Sequence, residues 1–228
     1  MSNPDHQPVM NPMPPVVIAL FLCIVAVELL FVLGTLGVIG DPSAIGWRIN
    51  AIQEYGISPT VAQWMWDNSY YPAEHLKRFI TFSFVNGSTI STGVAIALFL
   101  AMGRMVGTVY NAVSVLVVYF GSAIFGALVF VYAAPVNEWL FGSYVGVYGL
   151  IGGYSYISWL VLRAGHGPQL SAFSLIAMLM GIQLVFGIFF DVGYTWIADL
   201  AAFAFGFLVS FIVAPGGWGR LLMMIRRD

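Results

Sequence analysis

The chain has 228 residues, 60% of them hydrophobic, with 8 Lys+Arg against 10 Asp+Glu and a formal net charge of −2. A soluble domain of this length carries roughly 57 charged residues; so few here cannot clothe a water-facing surface, and the 16% aromatic content excludes disorder. A near-neutral balance without a basic cluster argues against a nucleic-acid partner, and the one cysteine, Cys23, excludes a disulfide framework.

What remains is an all-α polytopic membrane protein. A crossing helix needs about 20 apolar residues. After a short lead-in over 1–15, apolar runs occupy 16–39, 79–102, 106–133, 142–162, 170–190 and 194–213. These runs are continuous rather than alternating, which predicts six helices and not a barrel. The membrane domain is expected over 16–214, followed by a basic tail over 215–228. The first run is too long for a cleaved leader, lacks a basic segment before it and ends at Gly40-Asp41-Pro42.

Between the first two runs, 41–77 forms a long loop rich in Trp47, Tyr55, Trp64, Trp66, Tyr70 and Tyr71, ring types that collect at headgroup level. Within it, 59–66 is expected as a short interfacial helix, and the loop reads either as packing for the bundle's end or as a binding surface. If both termini share a side, that side collects Arg104, Arg163, Arg220, Arg226 and Arg227, against Arg48, Lys77 and Arg78 on the other. The bias places both termini in the cytoplasm. The bilayer is then the first partner, with the bacterial inner membrane as the expected location.

Ionisable groups inside spans are costly and are functional candidates by default. Two qualify: Glu28 near the middle of the first run, and Asp199 in the first third of the last. Each reads as a proton-relay carboxyl or as a hydrogen-bonded structural group facing another helix. His6, His75 and His166 lie outside the runs with no metal spacing between them, and no nucleotide or haem motif occurs, so neither metal nor cofactor is expected. Small residues recur at Gly142, Gly146, Gly149 and Gly153, and again at Ala198, Ala201, Ala202 and Gly206, which predicts close packing of the fourth and sixth runs.

Those two stretches carry a resemblance. The segment Gly142-Ser143-Tyr144-Val145-Gly146-Val147-Tyr148-Gly149 is similar to the Gly-x-Ser-Gly-x-x-x-Gly with which the fourth span of a rhomboid intramembrane protease opens, matching its outer glycines. Asp199-Leu200-Ala201-Ala202-Phe203, with Gly206, falls on the histidine motif of that family's sixth span. The stretch from Lys77-Arg78 through Thr81 to Asn86 resembles the family's Trp-Arg-x-x-Thr-x-x-Phe-x-His, and Gly103 matches the glycine after the second span.

The resemblance implies a six-helix bundle with a polar cavity and a lateral opening for transmembrane segments. It also assigns roles by position. Tyr144 stands where the nucleophilic serine belongs and Asp199 where the basic histidine belongs; Asn86, Ser91 and Ala95 stand at the places that help bind the oxyanion. Tyr148 matches the tyrosine that packs on the histidine, and Arg78 the arginine of the second-span motif. Shifting the register puts Ser143 in the serine slot but loses both glycine matches and still leaves no histidine in any span. The expectation is therefore a member without the serine–histidine pair, in which Tyr144 and Asp199 share an O–H···O bond. Such a protein would bind other transmembrane segments as a chaperone, quality-control or assembly subunit. The alternatives are an active protease using Ser143, and a small transporter or proton-conducting subunit built on Glu28 and Asp199.

Overall fold

A computed structural model describes residues 13–189 and 193–215. The readings attached to His6, Arg220, Arg226 and Arg227 lie outside these residues. Ten α-helices occur among them: α1 Pro15–Thr35, α2 Trp47–Tyr55, α3 Pro59–Asp67, α4 Ala73–Leu76, α5 Arg78–Thr81, α6 Thr89–Gly107, α7 Ala112–Ala133, α8 Tyr144–Ala164, α9 Ser174–Phe189 and α10 Thr195–Val213. Five of them, α1, α6, α7, α8 and α10, are long and apolar enough to cross a membrane. The fifth expected span, 170–190, is shorter: its described residues divide into a 3-10 turn, Gln169–Phe173, and the 16-residue α9.

Local chemistry moves the other boundaries. The second span was expected over 79–102, but α6 starts at Thr89. Ser88 adopts an extended conformation there, and its hydroxyl accepts the Ser91 amide at 3.1 Å as an N-cap. Residues 78–84 form short helical turns instead of membrane helix. The third span begins not at 106 but after Asn111, whose side chain caps α7 through the Ser114 amide at 2.8 Å. The first ends at Thr35, because Gly37 takes φ of +69° and turns the chain.

The 41–77 segment is helical rather than an open loop. Asp41 caps the first 3-10 turn through Ser43, whose hydroxyl and amide hold the Asp41 carboxyl below its usual range. The expected 59–66 helix is present as α3, burying Pro59, Ala62 and Met65 while Trp64 and Trp66 stay exposed. It is pinned to the α7–α8 connection by an Ile57–Leu140 bridge with two 2.9 Å backbone bonds, and by the Thr60 hydroxyl on the Val136 carbonyl at 2.7 Å.

At the centre, α7, α8 and α10 pack on one another. The apolar window of α8 is 61% buried, against 22% for α1, so α8 is the axis of the bundle and α1 its lipid-facing flank. Glycine makes this possible. A Cβ on Gly206 would collide with the backbone of Gly149, and one on Gly152 with the backbone of Phe203 and Phe207, so α8 and α10 meet main chain to main chain. The expected α8–α10 pair is thus present, but its small residues are divided: Gly146 and Gly149 also admit Tyr119 and Ser122 of α7.

Candidate functional site

The start of α8 is where the structure gathers the residues singled out in the sequence. Gly142 has φ of +106°, a conformation that an L side chain rarely adopts, and its amide donates to the Phe82 carbonyl at 2.9 Å. The turn swings Ser143 inward until it is fully buried. There its amide and its hydroxyl both donate to Oδ1 of Asn86, each at 3.1 Å. Asn86 is itself 2% exposed, and its Nδ2 has no partner among the described residues.

Tyr144 is the first residue of α8, and its hydroxyl donates to the Ser91 carbonyl of α6 at 3.1 Å. Asp199 is 3% exposed on α10, and its Oδ2 accepts from Gln183 Nε2 of α9 at 2.9 Å. The expected Tyr144–Asp199 hydrogen bond is therefore not made. A tyrosine hydroxyl has one proton, and here it goes to a main-chain carbonyl. The carboxylate stays within electrostatic range of Tyr144 and Tyr148, yet its Oδ1 is without a hydrogen-bond partner among the described residues. Ala95 of α6 and Tyr148 of α8 are buried as well, the former completely and the latter to 3% exposure. Gln183 was missed in the sequence. Its signal was available: an amide in an apolar run is a candidate partner for a lone carboxylate in another.

Glu28 lies in a second polar node, hydrogen-bonded to two neighbouring helices. Arg48 of α2 reaches it with two nitrogens, Nη2 to Oε1 at 2.6 Å and Nη1 to Oε2 at 3.0 Å. Thr89 and Thr92 of α6 each donate to it at 2.7 Å. Arg48 also donates to the Asn86 carbonyl at 2.8 Å and lies over the Phe31 ring at 4.9 Å. The node thus ties α1, α2 and α6 to the residue that holds Ser143. Arg48 is no free loop charge, as the sequence tally had treated it; a lone acid inside a span implied such a partner.

Arg78 works as scaffold. Its Nη1 closes the end of α2 on the carbonyls of Gln53 and Gly56, at 3.0 and 3.1 Å. Burial pulls its guanidinium below the ordinary value, while Glu54 nearby opposes this. Lower in the bundle an open cleft of about 670 Å³ separates α6 from α8 and the start of α9, lined by Met102, Met105, Ile157, Val161 and Leu175 with a few serine hydroxyls. Among the described residues, no three His, Cys, Asp or Glu side chains gather as a metal site would require.

These observations define a polytopic membrane protein with two buried polar nodes at one end of a glycine-packed core. The Rhomboid domain matches residues 73–216, well over half of the chain, so this protein belongs to the rhomboid family. It is an integral membrane protein in contact with the lipid bilayer, from a family that includes intramembrane proteases. No curated protein and no solved structure shows significant similarity to the chain.

Proposed function

We propose that this rhomboid-family protein binds transmembrane segments of other membrane proteins without cleaving them, as a chaperone, quality-control or assembly subunit. One observation carries the reading: both protons that Ser143 can offer, amide and hydroxyl, go to an asparagine carbonyl oxygen. An amide oxygen does not take up a proton near neutral pH, and a serine without an adjacent base is a weak nucleophile. Burial of Ser143 further withdraws it from any substrate carbonyl. Tyr144 and Asp199, at the places of the family's dyad, have separate partners. The cleft between α6 and α9, mostly apolar, suits a helix passing in from the lipid.

The transport alternative loses one of its two carboxylates in this arrangement. Glu28 accepts four short hydrogen bonds, so a proton on it would have to displace Arg48 or a threonine. We place both termini in the cytoplasm, at the inner membrane of a bacterium, on the arginine bias noted above.

Two measurements test the proposal. Purified protein is exposed to a fluorophosphonate probe and to a generic rhomboid substrate, with Ser143→Ala as control. Neither labelling nor cleavage is expected; labelling that disappears in Ser143→Ala would establish a protease. Separately, a fluorescent single-span peptide in proteoliposomes should bind saturably. Energy transfer that rises only linearly with peptide would remove the binding role.

A further inference from the structure

The geometry points to Asp199 as the recognition point for a basic residue inside a partner's transmembrane helix. This rests on the segment-binding reading above and names the chemistry of the segment.

The carboxylate is the fifth residue of α10, about 6 Å along its axis, and is almost completely buried. One of its oxygens accepts from Gln183; the other has no donor among the described residues. A carboxylate removed from water normally gathers several donors, as Glu28 does from Arg48, Thr89 and Thr92 in this same chain. The contrast between the two acids is the central observation. Glu28 is saturated from within the protein, whereas among the described residues Asp199 is half-served, by an uncharged amide whose own oxygen is also without a partner there.

The donor that Gln183 supplies comes from α9, whose Ile176, Leu179 and Met180 pack on the core. Among the described residues the backbone of α9 runs close chiefly to the 3-10 turn preceding it, whereas that of α10 lies against both α7 and α8. The side of Asp199 that faces α9 is thus the side that an incoming helix can reach with the smallest rearrangement. A lysine or arginine on such a helix supplies positive charge and two or more N–H donors to the vacant oxygen. An apolar residue at that level leaves it unserved, and an acidic one adds repulsion. Discrimination by unsatisfied polar groups is strong where water is excluded.

The experiment uses four synthetic single-span peptides, identical but for Leu, Gln, Lys or Asp at the central position, titrated by energy transfer against the full-length protein in proteoliposomes. The Lys peptide is expected to bind at least tenfold more tightly than the Leu peptide, and the Asp peptide most weakly. In Asp199→Asn, which keeps shape and one acceptor, the ratio of Lys-peptide to Leu-peptide affinity should fall to within twofold. Gln183→Leu serves as a second variant: it removes the resident donor without touching the acid, and should increase the preference for Lys. Equal binding of Lys and Leu peptides to the unaltered protein would overturn the inference, as would a preference that survives Asp199→Asn. A Leu peptide that does not bind at all, while the Lys peptide does, leaves this inference standing and refutes general segment binding. Failure of every peptide removes both.

Discussion

Replacing Arg48 by leucine removes the only cation that reaches Glu28 in the described structure. The side chains of Arg48 and Glu28 are 18% and 12% exposed, so little water is available to replace either partner. Breaking a buried ion pair from one side typically costs about 3–5 kcal/mol, because the other charge is left uncompensated. The two threonine donors remain on Glu28 in Arg48→Leu, which puts the expected loss near the lower figure, about 3 kcal/mol. Glu28→Leu leaves Arg48 with the Asn86 carbonyl and the Phe31 face, and a loss of about 3 kcal/mol is expected again. In the double variant no charge is left unpaired. Its loss should be no greater than that of either single variant, giving a coupling on the order of 3 kcal/mol where independent sites would add within about 0.5. The assay is reversible unfolding in mixed micelles with increasing SDS, followed by tryptophan fluorescence, on the four proteins of the cycle. Losses that simply add would refute the reasoning, since each partner would then act alone. A second readout separates the node's local role: chymotrypsin should cut the 82–88 segment faster in Arg48→Leu, because the Asn86 carbonyl loses its donor.

The remaining expectations are simpler. Gly206→Ala should cost about 3 kcal/mol or more, because its methyl would occupy the space of the Gly149 carbonyl; Gly93→Ala, with nothing within 4 Å, should be neutral or slightly stabilising in the same SDS titration. Tyr144→Phe and Asp199→Asn should each cost about 0.6 kcal/mol and no more than about 2, and the two should add, since their hydrogen bonds go to Ser91 and Gln183 respectively; non-additivity would restore a direct contact between them. Arg78→Ala should release the end of α2 and expose 53–57 to limited proteolysis before the bundle unfolds, with a loss of about 1–2 kcal/mol; equal protease resistance would contradict its capping role.

How far the sequence could be read depends on where each residue's partner lies. The long apolar runs of α1, α7, α8 and α10 declare themselves, because hydrocarbon thickness alone sets their length. The start of α6 does not: Phe79, Ile80, Phe82, Phe84 and Val85 continue the apolar run, and only the Ser88 cap marks where the helix begins. Glu28 was visible as an anomaly, but its partner lies 20 residues on in a helix that composition had rendered as a loop. The Tyr144–Asp199 expectation came from placing two substituted positions opposite each other, and it failed on something a side-chain pattern cannot reveal. The nearest acceptor for the tyrosine is the main-chain oxygen of Ser91, present at every position regardless of residue type. The same blindness applies to Asn86, where the functional contact runs through two groups of Ser143, one of them backbone. Position in a family motif singled out Asn86, Tyr144 and Asp199, while the partner of Tyr144 is a main-chain oxygen and that of Asp199 an amide on another helix, neither of which the motif encodes. For Asp199 this matters most: with Tyr144 committed to Ser91, no side chain of α8 donates to the carboxylate, and its second oxygen is left to whatever α9 or an incoming helix can bring.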